Sequence, residues 1–207
     1  CKAANVLFMA DEIQTGIGRT GAWLATCGAC SCSGGRCERD PQTYVRADVL
    51  ILGKALSGGV YPISAVLADD SVMLTIKPGQ HGSTFGGNPV AARVAQVALD
   101  VVEDEQLMQR ARRQGEHFRA TLRRELGSHP LVGTVRGRGL LNAVVIHSPA
   151  DSHVAWDLCL AMAAEGVLAK PTHGNIIRFA PPLVLTDAEL DDALDRIVRS
   201  VKKFRVS

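Results

Sequence analysis

Apolar residues follow two rhythms along the chain. Apolar runs at 6–10, 49–52 and 63–68, the last broken only by Ser64, are short and bounded by acids, glycines or proline, which predicts buried strands. The first run ends in Asp11-Glu12, placing polar groups at the C-terminal end of a strand read as parallel. In open α/β sheets ligands bind at that end. Later the rhythm becomes helical. Apolar residues at 90, 94, 97, 98, 101 and 102 predict a buried face on a helix over 89–103, with Asn88 as N-cap and Pro89 at the first helical position. A charged amphipathic helix is predicted over 106–126. Short strands follow at 133–135, 140–146, 167–170 and 176–179, with a helix over 153–165 closed by Gly166. Thr186-Asp187-Ala188-Glu189 has the form of a capping box and opens a last helix to about 204. The change of pattern puts a domain boundary near 104–106, giving domains 1–104 and 105–207.

Between the strands lie glycine-rich turns. Gln14-Thr15-Gly16-Ile17-Gly18-Arg19-Thr20-Gly21 requires special backbone angles, but it lacks the glycine order of a dinucleotide fingerprint, and no helical pattern follows it. His81-Gly82-Ser83-Thr84-Phe85-Gly86-Gly87-Asn88 leads straight into a helix, so its N–H groups suit an anion; an ordinary helix-entry loop is the plainer alternative. Residues 26–43 are small, polar and cysteine-rich and read as an exposed loop.

Composition narrows the class. With 46% apolar, 21% charged and only 4% aromatic residues, the 207-residue chain reads as globular with an aliphatic core. A net charge of +2 gives no reason to expect nucleic acid or a membrane surface as partner, and no apolar run reaches the span of a bilayer. Four of the six cysteines fall between Cys27 and Cys37, unlike a secreted disulfide framework, so the reading is a reducing, intracellular compartment. The spacing Cys27-x-x-Cys30-x-Cys32-x₄-Cys37 is too cramped for the separated pairs of a zinc site, and no metal is expected. The chain starts at Cys1 with a strand pattern almost at once, which suggests a start within a larger protein.

Candidate chemistry centres on Lys54, which ends the apolar run Val49-Leu50-Ile51-Leu52-Gly53 and is followed by Gly58-Gly59. It is either a surface lysine past a strand end or a desolvated lysine kept as a carbonyl nucleophile. Asp11 is either a turn residue or a carboxylate for a protonated ring nitrogen, with Gln14 three residues on as an amide for a ring oxygen. Ser83 and Thr84 offer hydroxyls beside a helix N-terminus. Arg178, inside the apolar run Ile176-Ile177-Arg178-Phe179, faces solvent from an edge strand or clamps a carboxylate. His173, in a turn, is left without a role.

Four stretches together resemble the class-III, fold-type-I pyridoxal-phosphate aminotransferases: residues 7–16, Gly53-Lys54-Ala55-Leu56-Ser57-Gly58-Gly59, residues 81–89, and Lys170-Pro171-Thr172-His173-Gly174 through Pro182. The wording of the last two is similar to the ornithine-acting branch of that family. The resemblance implies the C-terminal part of the fold-type-I large domain over 1–104, a mixed and mostly parallel α/β sheet with helices. A small α+β C-terminal domain over 105–207 would complete the chain. It implies pyridoxal 5'-phosphate as cofactor, bound covalently by Lys54, with Asp11 on the pyridinium nitrogen, Gln14 on the phenolic oxygen, and Thr84 with Ser83 on the phosphate of a neighbouring subunit's cofactor. Arg178 would hold the α-carboxylate of glutamate or 2-oxoglutarate. The implied reaction is ping-pong transfer of the δ-amino group of L-ornithine to 2-oxoglutarate by a homodimer or higher homo-oligomer, in the cytoplasm or, alternatively, the mitochondrial matrix. Acetylornithine or another ω-amine remains open as substrate, and so does an inactive fragment, because the family's earlier phosphate loop and stacking aromatic have no counterpart here. The stretch from Asp11 to Lys54 is also longer than the family's usual spacing, the excess being the cysteine-rich segment.

Overall fold

A computed structural model describes residues 1–27 and 46–205. The chain divides into two compact units, Cys1–Met108 and Gln109–Ser207.

The first unit holds a three-stranded sheet of β1 (Met9–Asp11), β2 (Val49–Leu52) and β3 (Ala65–Ala68), in that order. β1 runs parallel to β2, and β3 closes the sheet antiparallel to it. The first strand starts later than its apolar run suggests. Val6 and Leu7 lie exposed ahead of it, and the backbone N–H of Phe8 donates to the Asp48 carboxylate at 2.7 Å instead of continuing a ladder. Two helices follow. The short α1 spans Asp70–Met73, and α2 spans Pro89–Asp104. The Asn88 side chain accepts from the N–H of Ala91 at 2.9 Å and Pro89 opens the helix, a cap that supplies an otherwise orphaned donor. Ala91, Ala95 and Val102 are buried on one side of α2. Val90, Val97 and Val101 remain exposed on it.

In the second unit α3 (Leu107–Leu126) packs with α4 (Val154–Ala164) and α5 (Asp187–Lys203) on one side of a four-stranded antiparallel sheet. The strands are β4 (Val132–Arg138), β5 (Leu141–Ile146), β6 (Lys170–Thr172) and β7 (Ile176–Phe179), in the order β4-β5-β7-β6. Strand β6 begins at Lys170, where its pairing with β7 begins; Leu168, expected within it, is 89% exposed.

The core follows the two periodicities. Phe118, Leu122 and Leu126 recur every four residues on α3, Leu190, Leu194, Ile197 and Val201 recur on α5, and Val135, Val144 and Ile177 supply the sheet. Phe118 and Phe179 meet with ring centroids 5.4 Å apart. α5 has the expected capping box: Thr186 Oγ1 accepts from the N–H of Glu189 at 3.2 Å, while Glu189 Oε2 accepts from the N–H of Thr186 at 2.8 Å.

A buried polar cluster ties α3 to the β4–β5 turn. Arg119 donates to the Gly139 carbonyl at 3.1 Å and to Asn142 Oδ1 at 2.7 Å, and Asn142 Nδ2 donates to the same carbonyl at 3.3 Å. One helical turn before Arg119, Gly115 lets the helix lie directly on that turn. A β-carbon there would stand 1.8 Å from the Gly139 carbonyl oxygen.

Candidate active site at the end of the parallel strands

The parallel register aligns Met9 with Val49, Ala10 with Leu50 and Asp11 with Ile51. The ladder continues one step further, since Glu12 N–H donates to the Ile51 carbonyl at 2.9 Å. Asp11 therefore ends β1 level with the strand that delivers Lys54 three residues later. In β1 the alternation buries Ala10 and turns Met9 and Asp11 to the open face. One carboxylate oxygen of Asp11 accepts from the Ile13 N–H at 3.0 Å, which steadies the turn leading to Gln14.

Past β2 the chain winds into a 3-10 turn over Lys54–Ser57, closed by Leu56 N–H to the Gly53 carbonyl at 3.0 Å and Gly58 N–H to the Ala55 carbonyl at 3.0 Å. This closure holds Lys54 at φ 44°, a left-handed conformation that costs a residue with a β-carbon about 1–2 kcal/mol. Such strain persists where the surroundings over-determine it, and it clusters at functional sites. Gly58, at φ 58°, seats the turn against α2, where an added β-carbon would lie 3.3 Å from that of Ala98. Lys54 is exposed, not desolvated, and its Nζ donates to Gln14 Oε1 at 3.2 Å. An amine and an amide thus meet past the C-terminal ends of β1 and β2, and the Asp11 carboxylate ends the first of these strands.

Glu12 is the residue that inspection of the sequence passed over. Its side chain is buried, and its carboxylate accepts from the N–H groups of Ala25 at 3.0 Å and Thr26 at 2.8 Å and from the Thr15 hydroxyl. It supplies acceptors for the N–H groups that open the Ala25–Cys27 turn and so braces the loop carrying Gln14. The available signal was a second acid directly after a strand-ending acid and before a glycine-rich turn. Glu12→Ala is expected to cost about 2 kcal/mol by stranding buried donors, and Glu12→Gln less, because the amide oxygen still accepts. A drop in the urea midpoint is the check, and an unchanged midpoint in the alanine variant contradicts this bracing.

Ser83 and Thr84 lie on a different loop, ahead of α2. Ser83 Oγ accepts from the Gly86 N–H at 2.8 Å and Asn88 Nδ2 donates to the Phe85 carbonyl at 2.8 Å, so the loop is held in a turn with Thr84 exposed. Arg178 belongs to the second unit. It is half-buried on β7, an interior strand flanked by β5 and β6, and not on a sheet edge. Cys27 is free; the other cysteines of the 26–43 segment, and the metal question attached to them, fall outside the described residues, among which no cluster suited to a metal occurs. Cys159, on the buried face of α4, is a core residue whose thiol burial pushes up to about 11. No helix among the described residues is long and apolar enough to cross a membrane.

The profile described as Aminotransferase class-III matches residues 1–201. The chain belongs to the class-III aminotransferases. Among curated relatives, ornithine aminotransferase car2 of Schizosaccharomyces pombe is 54% identical over 202 residues, covering 97% of this chain and 42% of that protein. The mitochondrial ornithine aminotransferase of Rattus norvegicus is 50% identical over 206 residues, covering 99% of this chain and 43% of that protein. Among solved structures, acetylornithine aminotransferase from Elizabethkingia anophelis is 53% identical with a TM-score of 0.85, covering 99% of this chain and 47% of that one. The chain spans about two fifths of the length of the curated relatives it matches. Class-III aminotransferases work through pyridoxal phosphate, and the Lys54, Gln14 and Asp11 set fits that group.

Proposed function

We propose that this chain is part of a pyridoxal-phosphate aminotransferase that moves the δ-amino group of L-ornithine to 2-oxoglutarate, giving glutamate semialdehyde and glutamate. The observation that carries the cofactor half of this reading is the 3.2 Å contact between Lys54 Nζ and Gln14 Oε1, level with Asp11 across the β1–β2 ladder. The ornithine half rests on relatives of that name about half identical to the chain.

Bound pyridoxal phosphate supplies an electron sink that stores the amino group between donor and acceptor. Lys54 would hold the cofactor at its aldehyde carbon, and its Nζ would be the group that takes up and returns the proton. Asp11 would accept from the ring N–H and favour its charged form. Gln14, within reach of Lys54 Nζ, would orient the ring through its phenolic oxygen. Thr84, with Ser83, would reach the phosphate of a neighbouring subunit's cofactor, and Arg178 would clamp a substrate carboxylate in bidentate fashion. The division into a cofactor-binding unit and a smaller C-terminal unit follows the same reading. So does assembly as a homodimer or higher homo-oligomer. Arginine breakdown and proline formation are the matching pathways. The cytoplasm or the mitochondrial matrix is the matching compartment, the rat relative being mitochondrial.

Acetylornithine as donor is a second reading, favoured by the 53% identity to the Elizabethkingia anophelis enzyme of that name. Turnover of the full-length protein with ornithine and with N-acetylornithine, each against 2-oxoglutarate, separates the two. The ornithine reading expects a higher kcat/KM for the free diamine. Preference for the acetylated donor rejects it.

A further inference from the structure

The antiparallel register of the second unit sets three cations in one row. Arg136 on β4 pairs with Ala143 on β5, Ala143 with Arg178 on β7, and Arg178 with Lys170 on β6. The neighbouring row, Val135, Val144 and Ile177, points into the core, so by the two-residue alternation of strands the cationic row lies on the opposite face. Lys170 and Arg136 are exposed and Arg178 is half-buried. Ala143 puts only a methyl group between Arg136 and Arg178 in the row.

Directly opposed like charges on adjacent strands destabilise a sheet, and residues so paired stand only about 5 Å apart at their β-carbons. Lys170 and Arg178 are such a pair. Neither Lys170 nor Arg136 forms an ion pair with a carboxylate among the described residues. A sheet face that gathers cations on three of its four strands gains from an anion laid across it. We propose that Lys170 and Arg136 extend Arg178 into a carboxylate-binding row that selects an acceptor with two carboxylates over one with a single carboxylate. Lys170 acts here as a specificity-determining residue: its ammonium is a point charge beside the planar guanidinium of Arg178, so it adds attraction without competing for the bidentate geometry. The identity of the acceptor rests on the amino-transfer reading above; the anion preference of the row does not.

The test uses the full-length protein and two unreactive probes, glutarate with two carboxylates and butyrate with one. The wild type is expected to melt several degrees higher in glutarate than in equimolar butyrate at low ionic strength, with the difference shrinking as salt is added. Lys170→Met is expected to melt no lower than wild type without anion, because the cross-strand repulsion is gone, and to lose most of the glutarate shift. Lys170→Arg is expected to keep that shift. In turnover, Lys170→Met is expected to raise KM for 2-oxoglutarate about fivefold to tenfold with a smaller change in kcat. Equal stabilisation of wild type by glutarate and butyrate overturns the proposal, as does a full glutarate shift in Lys170→Met or its loss in Lys170→Arg. A protein that shows the glutarate preference but transfers no amino group from ornithine or N-acetylornithine refutes the reaction and leaves the anion row standing. The reverse result refutes the row alone.

Discussion

Lys54→Ala is expected to leave the full-length protein without the visible absorbance band of a lysine-bound pyridoxal phosphate and to lower turnover by roughly three orders of magnitude or more. Loss on that scale is the mark of a nucleophile, since an exposed lysine that only donates to Gln14 would be worth about 1 kcal/mol. Lys54→Gly sharpens the experiment. The native residue sits at φ 44°, which glycine adopts without the β-carbon clash, so with both proteins stripped of cofactor the glycine variant should be more stable by about 1 kcal/mol while equally inactive when cofactor is restored. A more stable yet inactive protein cannot be put down to misfolding. Retention of the band in either variant removes Lys54 from its proposed role.

Gly115→Ala is expected to destabilise the second unit by about 3 kcal/mol or more, against the general rule that alanine improves a helix interior by about 1 kcal/mol over glycine. The reversal comes from the Gly139 carbonyl oxygen, 1.8 Å from where the new methyl would go. The obstacle is backbone, and it is fixed from behind by Arg119 and Asn142, both of which donate to it. Relief would require α3 to lift off the β4–β5 turn and break those buried bonds. A thermal melt followed by circular dichroism is the check, and an alanine variant as stable as wild type would show that the turn yields easily.

The fold class was legible because it depends on local pattern. An unbroken apolar run marked β2 and one interrupted only by Arg178 marked β7 to the residue, and helical spacing with Asn88, Thr186 and Gly166 at the ends marked α2, α4 and α5. What failed to show depends on partners distant in sequence. β1 begins at Met9 because Asp48, forty residues away, takes the Phe8 N–H, and β6 begins at Lys170 because that is where β7 can pair. The candidate site divides the same way. Lys54, Asp11 and Gln14 stood out as polar residues at the end of apolar runs, and the structure brings them to one sheet end. The left-handed backbone of Lys54 was hidden, because it is set by bonds that close the following turn. Glu12 was hidden because its value lies in two N–H groups more than a dozen residues on. The cationic row was hidden because Arg136, Arg178 and Lys170 become neighbours only through strand register.

The β1–β2 register has a corollary for chain length. Asp11 and Lys54 are located relative to each other by three rungs of a parallel ladder and a short turn, not by the length of peptide joining them. The ladder works as a ruler that is blind to contour length, and each doubling of a connecting loop adds only about 0.6 kcal/mol of closure entropy. The stretch between the two residues can therefore lengthen or shorten without moving Asp11 relative to Lys54. A shift of one rung between β1 and β2 is another matter: it would turn Asp11 to the other face of the sheet, and no change of side chain could repair that.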